Sequence, residues 1–213
     1  MERLHTAITA DAEKRLLVWI ATRLPAGVNS DHLTFMAAAA LAGVGACFAA
    51  GGPALPFAIP LLALNWFGDS LDGTVARVRR RERPRYGYYV DHVLDAAGVG
   101  LLVVGFVIGG HMTPAVGLAF LAAYFLVVIE VSLATTALGT FRLAAWGVGP
   151  TELRLALALG TLQLMRNEYI TFGGRQWLLF DGGGCVAIGG LLLTFIVSAL
   201  RNGITLYGEE RLR

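Results

Sequence analysis

The length of its apolar blocks constrains this chain most. Blocks long enough to cross a bilayer recur six times, at about 33–51, 54–77, 86–109, 113–137, 150–170 and 183–205. A hydrocarbon core about 30 Å thick takes about 20 residues of helix. Runs such as "LLALNW" and "GLLVVGFVIGG" do not alternate apolar with polar residues, so a membrane barrel is excluded. In lipid the backbone must then satisfy its own polar groups, which leaves the helix. Composition agrees: of 213 residues, 56% are hydrophobic and 15% charged, against about a quarter charged in a soluble domain. The expected fold is all-α, a polytopic bundle of six transmembrane helices over residues 26–213.

Ahead of the first span, Ile8, Leu16, Leu17, Trp19, Ile20 and Leu24 interleave with Asp11, Glu13, Lys14, Arg15 and Arg23. Residues 1–25 therefore read as an N-terminal amphipathic juxtamembrane helix, lying in the interface or docked on the bundle. Charges throughout this segment argue against a cleavable leader. Cys47 and Cys185 each sit in an apolar block and fit neither a metal spacing nor a disulfide framework.

Orientation follows from the basic residues. The turn at 77–86 carries Arg77, Arg79, Arg80, Arg81, Arg83 and Arg85, so it is expected on the cytosolic side. Six spans then place both termini there. Arg175 in the loop at about 171–182 fits this least well.

Four aspartates interrupt this apolar pattern. Asp69, Asp72, Gly73, Ala76 and Arg77 fall at helical offsets 0, 3, 4, 7 and 8, one stripe of one helix. Gly87, Asp91 and Asp95 fall at offsets 0, 4 and 8, again one stripe. If the two helices are neighbours around the arginine turn, four carboxylates converge at the cytosolic end. Unpaired, they would repel and neutralise. Hard divalent cations suit such an oxygen set, and two of them can clamp a phosphoryl displacement. Gly73 and Ala76 leave room for a ligand beside the helix, and Arg77 offers a cation for a diphosphate.

Asp69-x-x-Asp72-Gly73-x-x-Ala76-Arg77, nine residues, then Gly87-x-x-x-Asp91-x-x-x-Asp95 resembles the signature of the CDP-alcohol phosphotransferases (CDP-alcohol phosphatidyltransferases), membrane enzymes of phospholipid synthesis. Ser30-Asp31-His32-Leu33-Thr34 is similar to the family's Pro-Asn-x-Leu-Thr entry to the first span, with Ser for Pro and Asp for Asn. The resemblance implies a CDP-linked donor, two Mg²⁺ or Mn²⁺ ions, attack of an acceptor hydroxyl on the β-phosphorus, release of CMP, and a homodimer in a bacterial or archaeal cytoplasmic membrane. Asp69, Asp72, Asp91 and Asp95 then look like metal ligands, with Asp95 also a candidate base. Gly73, Ala76, Arg77 and Gly87 look like the nucleotide-binding positions. No nucleic-acid polymer is expected as a partner.

Two further elements resemble the choline and ethanolamine phosphotransferase subgroup. Asp91-His92-x-x-Asp95 is similar to its Asp-His-Gly-Cys-Asp, with Val93-Leu94 for Gly-Cys, and Gly149-Pro150-Thr151-Glu152 to its Thr-Glu element. There the His and Glu are thought to act together as the base on a lipid hydroxyl, which implies that role for His92 and Glu152. A high-pKa hydroxyl needs such a base, and a carboxylate can fix the imidazole tautomer.

Other residues carry two readings each. Asn65, one turn before Asp69, can touch the cytosine or serve helix packing. Arg142 and Arg154 can grip a substrate phosphate or act as positive-inside anchors. Glu130, within the fourth span, should face the bundle and pair inside, with an arginine favoured over a catalytic part.

Three functions remain open. The first is transfer of a phospho-alcohol from a CDP-choline- or CDP-ethanolamine-like donor to a lipid hydroxyl such as that of diacylglycerol. The second is phosphatidyl transfer from CDP-diacylglycerol to a polar alcohol or alcohol phosphate, such as glycerol phosphate, inositol phosphate or serine, with Arg142 and Arg154 holding the acceptor. The third, a divalent-cation transporter, ranks last because the aspartates gather at one end of the spans. A silent scaffold would not need all four.

Overall fold

The computed structural model describes residues 10–138 and 150–210. In chain order the elements are α1 (Ala10–Arg23), α2 (Ser30–Ala50), a 3₁₀ turn (Gly52–Ala54), α3 (Leu55–Val78), α4 (Pro84–Ile108), α5 (Pro114–Leu138), α6 (Pro150–Leu164), β1 (Tyr169–Phe172), β2 (Arg175–Leu178) and α7 (Leu179–Glu209). The all-α polytopic architecture is as expected. Among the described residues, α2, α3 with its preceding turn, α4, α5 and α7 are each long and apolar enough to cross a membrane.

The block expected at 150–170 differs. Its helix stops at Leu164 after 15 residues, a rise of about 22 Å. Polar Asn167 and Glu168 end the apolar run, and Tyr169–Phe172 then pairs antiparallel with Arg175–Leu178. Gly173 and Gly174, at φ 59° and 75°, make the two-residue reversal, a left-handed geometry that glycine adopts without strain. Leu179 starts α7 directly after β2, earlier than the expected 183.

α2 is the centre of the bundle. Asn29 caps it: its side chain accepts from the His32 amide at 3.1 Å while the His32 ring accepts from the Asn29 amide at 3.3 Å. Small residues let both neighbours approach. A Cβ on Gly68 of α3 would sit 2.7 Å from the Leu33 carbonyl oxygen, and one on Gly105 of α4 only 2.1 Å from that of Gly45. The main core gathers Val44 and Phe48 of α2, Leu62 of α3, Leu102 and Phe106 of α4 and Phe180 of α7. Large apolar side chains such as Leu101, Ile108, Leu118, Ile129, Val186 and Ile204 stay exposed on the outside, as lipid-facing positions require.

α1 docks one face on the bundle. Leu17 and Ala21 are buried in a second cluster with Leu33, Leu71 and Val75, while Leu16, Val18 and Trp19 remain exposed. Residues 1–9 of the expected helix lie outside the described residues. The linker after α1 is held by Arg79, whose guanidinium donates to the carbonyls of Leu24 at 2.9 Å, Pro25 at 3.0 Å and Val28. Arg80, at φ 53°, reverses the chain, and Pro84 opens α4, where its missing N–H costs nothing. Arg83 pairs with Asp31, tying this turn to the start of α2.

The opposite end has its own polar ties. His111 Nδ1 lies 2.9 Å from Glu168 Oε1, and Asp181 accepts from the Thr113 amide at 2.8 Å. α6 with residues 165–168 therefore reaches from one end of the bundle to the other. Inside the bundle, Glu130 of α5 accepts from Asn202 of α7 at 2.7 Å. The carboxylate finds its partner within the protein, as expected, but that partner is the Asn202 amide and not an arginine.

Candidate active site

The starts of α2, α4 and α6 and the end of α3 meet at one end of the bundle. Asp69 of α3 and Asp91 and Asp95 of α4 each place a carboxylate oxygen within 4.8 Å of the others, and all three are half-buried. Asp72 lines the same small pocket, with Thr34, Ala37 and Ala38 of α2 as its third wall. Asp72 Oδ2 accepts from Thr34 Oγ1 at 2.7 Å, and its Oδ1 accepts from the Gly73 amide. The two stripes thus converge around the arginine turn, with three carboxylates in ligand range of one another and the fourth beside them. Such an all-oxygen anionic set fits a hard divalent cation.

One cation side chain enters this group from α6. Arg154 Nη2 donates to Asp69 Oδ2 at 2.7 Å, and its Nε donates to Asn65 Oδ1 at 2.6 Å. Asn65 Nδ2 in turn donates to the Ala37 carbonyl at 2.9 Å. Asn65 is 2% exposed, so its amide is committed to packing and to Arg154. Arg142 lies outside the described residues.

The nucleotide positions divide. Gly87 is exposed, and a Cβ there would meet no atom within 4 Å, so its side of α4 is open. At Gly73 the same Cβ would lie 3.3 Å from Arg77 Nη1. The space that glycine leaves is therefore taken by Arg77, whose Nη2 also donates to Thr74 Oγ1 at 3.1 Å. Ala76, half-buried, lies on the same stripe.

His92 adjoins the cluster through Asp91. Its Nδ1 is 2.9 Å from the Tyr88 carbonyl oxygen and 3.7 Å from Asp91 Oδ2, and its ring lies over that of Tyr88 with centroids 4.1 Å apart. A carbonyl can only accept, so Nδ1 carries a proton, and in the neutral imidazole the lone pair is then on Nε2. Glu152 stands exposed in the first turn of α6, two residues before Arg154.

In the sequence Thr34 stands out only as the last residue of the Ser30–Thr34 entry to the first span, with no site role, and Tyr88 does not stand out at all. Both had a signal: Thr34, Ala37 and Ala38 share one helical face, and Tyr88 is one turn before His92.

The chain matches the model of the CDP-alcohol phosphatidyltransferase family over residues 28–199, most of its length. No curated protein matches it.

Proposed function

We propose that this chain, which belongs to the CDP-alcohol phosphatidyltransferase family, transfers a phospho-alcohol group from a CDP-linked donor of the CDP-choline or CDP-ethanolamine type to a lipid hydroxyl. It is a transferase acting on CDP-alcohol substrates, which leaves the transporter reading without support. Transfer of a substituted phosphate group breaks the bond between the donor's β-phosphorus and CMP and forms one from that phosphorus to the acceptor oxygen. The proton of the acceptor hydroxyl must go to a base.

The observation that carries the choice of acceptor is the orientation of His92. Nδ1 is turned to the Tyr88 carbonyl at 2.9 Å, beside the cluster residue Asp91, and a neutral ring in that tautomer would offer Nε2 as the proton acceptor. A lipid hydroxyl needs such a group. Glu152 would complete the dyad from α6, and Asp95 is the alternative base. Asp69, Asp72, Asp91 and Asp95 would hold two Mg²⁺ or Mn²⁺ ions, which neutralise a diphosphate when bound. Arg77 would meet a donor phosphate, and the open side of Gly87 would admit the nucleotide. The reading includes a cytosolic site and a homodimer in a bacterial or archaeal cytoplasmic membrane.

Phosphatidyl transfer from CDP-diacylglycerol to a polar acceptor remains the second reading. It would use Arg142 and Arg154 to grip the acceptor, and without substrate the Arg154 guanidinium is engaged by Asn65 and Asp69. Purified protein offered CDP-choline, CDP-ethanolamine or CDP-diacylglycerol with matching acceptors, with mass spectrometry of the lipid product, separates the two. Product from diacylglycerol and a CDP-polar alcohol is expected. Product from CDP-diacylglycerol alone would favour the second reading.

A further inference from the structure

The partners of Asn65 fix which way round its amide sits. The Ala37 carbonyl, 2.9 Å away, can only accept and so faces Nδ2. The Arg154 guanidinium, 2.6 Å away, can only donate and so faces Oδ1. The guanidinium is planar, so engaging Nε on Asn65 and Nη2 on Asp69 orients the whole group. A backbone carbonyl of α2, an amide on α3, a guanidinium on α6 and a carboxylate on α3 thus form one continuous chain of hydrogen bonds. It ends on a member of the carboxylate cluster.

We infer that Asn65 is a positioning residue that pins Arg154 beside the cluster, and that Arg154 there lowers the cluster's affinity for a free divalent cation. The inference rests on the metal-binding reading of the four aspartates. Its physical basis is charge. A fixed positive group on Asp69 repels a dication binding to the neighbouring oxygens, and partial burial limits screening. Arg154 and Asp69 side chains are only 15% and 26% exposed. An anionic diphosphate reverses the balance, because it attracts both the guanidinium and the ion. Arg154 thereby ties cation binding to donor binding, and Asn65 holds Arg154 in place to do so.

The test is Mn²⁺ alone, titrated into the purified full-length chain in nanodiscs and read by the paramagnetic resonance of the free ion. Arg154→Gln is expected to bind Mn²⁺ about tenfold more tightly than wild type, an ordinary size for a coupling between two sites. Arg154→Lys, which keeps the charge, should stay near wild type. Asn65→Leu and the smaller Asn65→Ala should shift in the same direction as Arg154→Gln. The double variant Asn65→Leu/Arg154→Gln should match Arg154→Gln alone, because one residue acts through the other. Unchanged or weaker Mn²⁺ binding by Arg154→Gln would overturn the inference, since a merely structural arginine would loosen the site when removed. Additive shifts at positions 65 and 154 would overturn the role of Asn65. Wild-type protein that binds no Mn²⁺ would instead remove the metal reading itself, and this inference with it.

Discussion

Thr34 Oγ1 lies 2.7 Å from Asp72 Oδ2 and so joins the first turn of α2 to the cluster end of α3. Thr34→Val keeps the shape and removes the donor. A hydrogen bond to a charged group contributes about 1.5–3 kcal/mol, so kcat/KM should fall about tenfold or more while Thr34→Ser restores it. CMP release by each variant checks this, and wild-type turnover by Thr34→Val would show that Asp72 does not depend on the hydroxyl.

The base is tested by four substitutions. His92→Ala and Glu152→Ala should each lower kcat by about 10²–10⁴-fold, the usual contribution of a general base. The double variant should be little worse than the worse single, because the two act as a unit. If the acceptor is a phosphorylated polar alcohol, Arg142→Ala and Arg154→Ala should instead raise its KM sharply and His92→Ala should be mild. Turnover near wild type in both His92→Ala and Glu152→Ala would point to Asp95 as base.

Close helix contact predicts where stability is sensitive. A Cβ at Gly105 would approach the Gly45 carbonyl oxygen to 2.1 Å, whereas at Gly100 it would meet nothing within 4 Å. Gly105→Ala should destabilise the bundle by about 1–3 kcal/mol, the usual cost of overpacking, and Gly100→Ala should be near neutral. Thermal unfolding in detergent distinguishes them; equal melting temperatures would contradict the packing of α2 on α4.

These contacts show what was legible in the sequence. Spans are apolar blocks, and the two aspartate stripes are visible because neighbours on a helix recur every three or four residues. The convergence of Asp69, Asp91 and Asp95 follows once two stripes flank one short turn. Periodicity within a helix says nothing of which distant helix it meets. Arg154 and Asn65 are 89 residues apart, and Glu130 and Asn202 are 72 apart. Neither pairing had a local signal, so Asn65 read equally as a cytosine contact. The end of α6 did have a local signal: Arg166, Asn167 and Glu168 break the apolar run after Met165, and the Gly173–Gly174 reversal marks the hairpin that replaces the last expected turn.

Sidedness can be read chemically. Arg81 lies in the exposed turn between α3 and α4, where an excess of arginines favours the cytosol. In a background free of other cysteines, Arg81→Cys should react with an impermeant thiol reagent in inside-out vesicles and stay unlabelled in intact cells. Labelling of intact cells would invert the proposed orientation.

The central claim is that the four aspartates work as a divalent-cation site during transfer from a CDP-linked donor. The most direct measurement is CMP release by the purified wild-type chain, with the lipid acceptor present, as Mg²⁺ or Mn²⁺ is titrated and then removed with EDTA. Saturable dependence on the ion is predicted, with turnover lost in EDTA, restored by added ion, and absent at every ion concentration in folded Asp72→Asn and Asp91→Asn. Full turnover in excess EDTA would contradict it.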